Sequence, residues 1–472
     1  CALPICFQVA SVECKSGIGV ELMKRRTVAV WILALVLSLG TATLSAMAAE
    51  GWKQESNGWV YLDSHGDRVY NAWKKGADNL WRYLDGDGVM ATNCWVDTDY
   101  YVDGDGIMYT EKWLKVTNDE GEYEWYYFGS SGKAIKDTWK KINDKWYHFD
   151  DDGKLEVGWI LDDMYYCGED GVMRTGWQKL YPPDGDDYDS NRVTPSFDSL
   201  DDDDGRNWYY FSSSGKKYVP DDDSGDYGAR KIEGTYYCFD QDGAMQTGWK
   251  NVRSGSSDSI EDYMYFGSDG KAKIGWYSIE PPEDLEGYDG DVEWFYFSNS
   301  GKPRAADSDR LTVNDLWKVN GRSYLFNNKG NPVHGLQKVY TGGDSWTAFY
   351  FGDKNTSNVQ KGKMKITEGD GSRSDFYFAD NGRGYTGVKD NHLYYAGKLQ
   401  EATDGSKYMC YRVNGNNYVV NSSGKIMKNS NVKNSDGVKF TTSSSGTLQK
   451  ADDDTDIDGY VNDPVEPVWD ED

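Results

Sequence analysis

The sequence is poor in what a conventional multi-domain enzyme is built from. Only 38% of its 472 residues are hydrophobic and its mean hydropathy is -0.77, so large Leu/Ile/Val cores are excluded as a first reading. Basic residues are outnumbered, Lys+Arg 51 against Asp+Glu 78, with a formal net charge of -27. A phosphate backbone demands the opposite sign, which excludes a nucleic-acid partner. Histidine is scarce: His65, His148, His334 and His392 lie in separate segments, with no G-x-S-x-G or Cys/His signature beside them. No catalytic constellation is read, and the chain is expected not to be an enzyme. The seven cysteines show no CxxC or Cys/His grouping. Neither a zinc site nor a dense disulfide framework is expected, no cofactor is implied, and Cys94, Cys167, Cys238 and Cys410 are read as thiols in apolar positions.

What the chain has instead is rings. Trp 19, Tyr 36 and Phe 15 make up 15% of it, and each such ring buries ~150–250 Å² with few rotors to freeze. That content argues against the disorder that low hydropathy and excess acid would otherwise suggest.

The first fifty residues stand apart. Met23-Lys24-Arg25-Arg26 is a basic start, Val28 to Leu39 an apolar run, and Ala46-Met47-Ala48 a small-x-small cleavage site. Residues 23–48 are therefore read as a secretory signal peptide, and residues 1–22 as an upstream segment without structural role. No further apolar run reaches the ~20 residues needed to cross a bilayer, so no stable transmembrane span is expected.

From residue 50 a repeat takes over. A tryptophan opens each unit, at Trp52, Trp73, Trp95, Trp113, Trp139, Trp159 and Trp177, with a period of about 20 residues. Inside each unit a tyrosine lies five residues before a turn glycine, as in Tyr61/Gly66, Tyr83/Gly88, Tyr101/Gly106, Tyr127/Gly132 and Tyr166/Gly171. Fixed spacing to a glycine is what a hairpin imposes, because the turn sets the register. In Trp125-Tyr126-Tyr127-Phe128 the two-residue alternation puts Trp125 and Tyr127 on one face, read as the more constrained, and Tyr126 on an outward slot. A lone hairpin is marginal in water, so the fold is expected to be all-β, a repeat solenoid of stacked β-hairpins with acidic loop insertions. The units divide into regular repeats at 49–180, repeats with acidic insertions at 181–310, degenerate repeats at 311–450, and an acidic tail or linker at 451–472. Turns such as Asp85-Gly86-Asp87-Gly88 share their slot with the acid-free Gly129-Ser130-Ser131-Gly132, so they are read as turn chemistry rather than calcium loops.

The run Gly158-Trp159, Met164-Tyr165-Tyr166, Gly171-Val172-Met173-Arg174-Thr175-Gly176-Trp177 resembles the cell-wall-binding, choline-binding type of repeat in Gram-positive surface proteins, which is related to glucan-binding repeats. The resemblance is good over 51–177, weaker over 229–301 and faint beyond. It implies a left-handed hairpin solenoid whose ligand sites lie between consecutive repeats, where aromatics from two units and often a methionine box in a choline head group of teichoic acid. Carried over by position, the cages draw on Trp52, Trp59 and Tyr61 with Trp73; on Trp73, Trp81, Tyr83 and Met90 with Tyr101; on Trp139 and Trp146 with Tyr166; and on Trp159, Tyr166 and Met173 with Trp177. Asp99, His148 and Met164 depart from the pattern. The implied protein is secreted, held non-covalently on the cell wall, and binds teichoic-acid choline or extracellular glucan. The alternative is the glycan-binding region of an exported enzyme or toxin whose catalytic domain lies outside this sequence.

Overall fold

The computed structural model describes residues 50–183, 205–221, 226–253, 259–288, 292–403 and 405–470. The expected leader, the segment before it and most of the first two acidic insertions lie outside the described residues. Among the described residues there is no α-helix; strands alternate with turns and a few short 3-10 segments. Of the described residues, 50–183 and 210–217 form one compact unit, and 205–209 and 218–470 a second.

The first unit is a file of antiparallel hairpins: β1 (Gly51–Glu55) with β2 (Gly58–Leu62), β3 (Ala72–Lys75) with β4 (Trp81–Leu84), β5 (Cys94–Val96) with β6 (Tyr100–Val102), β7 (Lys112–Thr117) with β8 (Tyr123–Phe128), β9 (Thr138–Ile142) with β10 (Lys145–Phe149), and β11 (Gly158–Ile160) with β12 (Tyr165–Cys167). The turns close on themselves. Asp85 accepts from the amides of Asp87 at 3.0 Å and Val89 at 2.8 Å, and Asp103 from those of Asp105 at 3.1 Å and Ile107 at 2.9 Å. These acids are used by their own backbone, which is how Asp favours a turn.

Two contacts stack one hairpin on the next. The opening Trp packs across its own hairpin on the tyrosine five before the turn glycine, with Trp73 and Tyr83 centroids 5.1 Å apart, and then on a ring of the following hairpin, with Trp73–Tyr100 at 5.3 Å. A backbone bond runs the same way: the residue two after a turn glycine donates to the strand of the hairpin before, Met90 N to Trp59 O at 2.7 Å and Met108 N to Trp81 O at 2.9 Å. This corrects the reading of one constrained face. Tyr126, taken as outward, is buried against Trp95 of the preceding hairpin at 4.9 Å, and it is Trp125 that is exposed. Stacking buries both faces, and the strand's first ring is left at the rim.

In the second unit hairpins continue, among them Gly275–Ile279 with Glu293–Phe297 and Leu316–Val319 with Arg322–Leu325. Farther along, aliphatics replace rings: Leu393, Val413, Val420 and Ile426 form a core around Tyr411. The degenerate stretch thus keeps its hairpins on a more ordinary core. The expected tail does not trail away. Val461–Asn462 pairs in parallel with the strand Tyr408–Val413, Val465 N donates to Gln400 at 2.7 Å, and Trp469 packs 5.3 Å from Trp346. Cys94 is disulfide-bonded rather than a thiol, while Cys167, Cys238 and Cys410 are buried and free. No helix of the described residues is long and apolar enough to cross a membrane.

Candidate functional site

Each step between hairpins of the first unit brings together four positions. They are the opening Trp, the residue seven before the turn glycine on the same hairpin, and, from the next hairpin, the residues six before and two after its turn glycine. The second step holds Trp73 and Trp81, which share a hairpin face through the register Trp73↔Tyr83, together with Tyr100 and Met108. At the fourth step Trp113 and Trp125 stand 6.3 Å apart at 85°, a corner of two perpendicular rings, with Tyr147 at 5.1 Å from Trp113 and Leu155 N on Trp125 O at 2.8 Å. The fifth step holds Trp139, Trp146, Tyr165 and Met173, with Trp139–Tyr165 at 5.2 Å and Met173 N on Trp146 O at 2.9 Å. The rim rings are open to solvent: Trp81 is 40% and Trp146 42% exposed.

The first step departs from this set. Trp52, Trp59, Met90 and Ile107 line an open groove of about 490 Å³ with Asp78, Arg82 and Asp105. Arg82 fills the slot that Tyr100, Tyr147 and Tyr165 fill at later steps. It is clamped by Asp78, Nη1 to Oδ1 at 2.9 Å and Nη2 to Oδ2 at 2.8 Å, and this hydrogen bonding holds the Asp78 carboxyl down to about 2. The Trp52 indole N–H donates to Lys75 O at 3.1 Å, which fixes the floor of the groove. At the third step Asp99 takes the rim position and pairs with Lys133 at 3.2 Å and Lys136 at 3.4 Å, so that step offers an ion pair in place of a ring. At the fifth, His148 packs 4.9 Å from Trp139 and its Nδ1 contacts Glu156.

The candidate residues are therefore regrouped. Met90 joins Trp52 and Trp59, not Trp73 and Trp81, because its backbone N–H bonds to Trp59 O of the hairpin before it. Tyr61, Tyr83, Tyr101 and Tyr166 each pack on their own hairpin's tryptophan, at 5.5, 5.1, 5.9 and 5.2 Å, and act as the wall between strands. Burial pushes the phenols of Tyr61, Tyr83 and Tyr101 above the usual tyrosine range. Trp139 meets Tyr165 rather than Tyr166, and Trp177 packs on Tyr210 at 5.2 Å in the step that follows. Tyr100, Tyr147, Tyr165, Met108, Trp113 and Trp125 occupy the same positions of a step, and the sequence reading did not place them among its candidates. In the second unit, Trp276, Trp294 and Tyr324 repeat the arrangement, with Trp276–Trp294 at 6.4 Å and Trp276–Tyr324 at 5.0 Å. Counting six back and two forward from each turn glycine finds Tyr100, Tyr147, Tyr165, Tyr324 and Met108, and counting seven back finds Trp125 and Trp294. A wider cleft of about 1130 Å³ in that unit is lined by Trp249, Lys250, Arg253 and Glu283, but Trp249 is committed to the core, 5.1 Å from Phe295 with its N–H on Glu280 O at 2.7 Å.

Comparison with known proteins gives the same class of repeat. The family model described as “Putative cell wall binding repeat” matches residues 120–134, 137–155 and 203–217. Several solved structures similar to this chain come from Streptococcus pneumoniae. The modular autolysin LytC is 18% identical over 61% of this chain and 54% of its own, with a TM-score of 0.35. CbpJ is 19% identical over 71% of this chain and 100% of its own, with a TM-score of 0.35. The choline-binding domain of CbpL is 25% identical over 48% of this chain and 97% of its own, with a TM-score of 0.32. The chain thus spans about half the length of the autolysin. No match is found among curated protein sequences.

Proposed function

Starting from hairpins that carry cell wall binding repeats, we propose that the chain is a non-catalytic, secreted binding protein that holds choline-bearing wall polymer in aromatic cages between its hairpins. The observation that carries this reading is the recurrence of Trp, Trp, Tyr and Met at the second and fifth steps, with the rim tryptophan exposed each time. A quaternary ammonium has no donor to offer a hydrogen bond, so it must be recognised by ring faces, at ~0.5–2 kcal/mol each. Three rings supply a few kcal/mol, on the order of millimolar affinity. Several such cages on one polymer raise the avidity by ~10²–10⁴ without a new contact. The excess of Asp+Glu 78 over Lys+Arg 51 favours a cationic head group as well.

Free choline is expected to quench tryptophan fluorescence and to elute the protein from choline-substituted resin, with dextran doing neither. Trp146→Ala and Trp81→Ala should each remove one equivalent of bound choline in calorimetric titration. Silence toward choline at tens of millimolar, combined with retention on dextran, would sink this reading in favour of a glucan-binding one.

A further inference from the structure

At the sixth step two positions change at once. Met164 stands where Trp59, Trp81 and Trp146 stand at other steps, and Lys217 stands two after its turn glycine, where Met108 and Met173 stand. The register is unchanged: Lys217 N donates to Met164 O at 2.7 Å, as Met173 N does to Trp146 O at 2.9 Å. The side chain therefore leaves the backbone from the methionine's position, but it ends in a cation. Its Nζ lies 4.9 Å from the centroid of the Trp159 ring, and the residue is only 7% exposed. Trp159 is held in place, 5.2 Å from Tyr166 and 5.8 Å from Phe211, with its indole N–H on Tyr181 O at 2.9 Å.

An ammonium over an indole face is the pairing a choline head group would make. We propose that Lys217 is a built-in occupant of the sixth step: its ammonium takes the ligand's place on Trp159, closes that step to an added cation and secures the stacking there without ligand. Its role as a stand-in for ligand rests on the cage reading above; the Lys217–Trp159 contact does not. Lys75, 5.0 Å over Trp81, and Lys115, 5.4 Å over Trp125, differ because both lysines are exposed. Water competes for their ammonium groups, and an incoming ligand displaces them at little loss. Lys217 is withdrawn from water, so an incoming cation cannot exchange with its ammonium without first opening the step.

Two measurements on the full chain test this. In choline calorimetry, the double variant Lys217→Met with Met164→Trp restores the ring and methionine of the other steps, and it is expected to bind one more equivalent than the wild type. Unchanged stoichiometry in a variant with the wild-type β-sheet spectrum overturns the proposal. The second measurement needs no ligand: under reductive methylation the Lys217 amine should react about tenfold more slowly than that of exposed Lys53, since it must await local opening. Equal rates would place the ammonium in solvent and end the idea. If the wild type takes up no choline at all, the cage reading falls, while the labelling rates still decide where Lys217 sits.

Discussion

A buried thiol reports how dry the small cores between hairpins are. Cys167 lies four before its turn glycine, the position of Leu84, Val102, Phe128 and Phe149 in other hairpins, all of them buried. Burial pushes the thiols of Cys167, Cys238 and Cys410 up to about 12. The thiolate is the reactive species, so these groups stay inert where an ordinary thiol is already ionising. With iodoacetamide at pH 8 the native protein should keep all three unmodified under conditions that alkylate them fully in denaturant, and alkylation of the native form would show that water reaches these cores. The linkage has a definite sign. Because the folded values are raised, the stabilisation is fully present below the ordinary thiol value, and it is lost as pH rises towards about 12, because the unfolded chain ionises first.

The hairpin step is the element on which both the stacking and the proposed cage depend, and its turn glycine joins the two. Gly132 has φ +82, and a Cβ there would stand 2.5 Å from Met108 Sδ and 2.6 Å from Met108 Cε. Gly121 has a similar φ of +88 with nothing within 4 Å. Gly121→Ala should therefore cost only the left-handed strain, ~1–2 kcal/mol, whereas Gly132→Ala adds the displacement of Met108, for ~2–4 kcal/mol in total. Urea denaturation of the two variants isolates the difference, and equal losses would mean that Met108 does not press on the turn. The same geometry explains what could be read from sequence. Turn glycines and opening tryptophans were legible because register within a hairpin is local. The partners Tyr100, Tyr147 and Tyr165 were not, because the bond that aligns neighbouring hairpins spans loops of changing length: it joins Met108 to Trp81 at one step and Ala134 to Asp99 at the next. Assigning Met90 to its own hairpin followed from that missing register.

At the scale of the whole molecule, the proposed cages would act through their number, while the second unit is closed by its own C-terminal segment. The acidic composition of 451–472 concealed that role, since a charge run usually marks a solvated stretch. The anchor is a buried acid. The Glu368 side chain is 0% exposed; it pairs with Lys398 at 2.9 Å and accepts from Val468 N at 2.7 Å, and nearby Leu336 N donates to Asp470 at 2.6 Å. Removing residues 461–470 strips a donor from a buried charge and uncovers Trp346, for a loss of ~2–5 kcal/mol. Because the two units are separately compact, the loss should stay where the contacts are. In hydrogen exchange the truncated chain should lose protection across 362–400 while 50–183 keeps its own, and choline uptake by the second and fifth steps should be unchanged. Loss of protection spread evenly over both units would show that the C-terminal segment stabilises more than the sheet it touches.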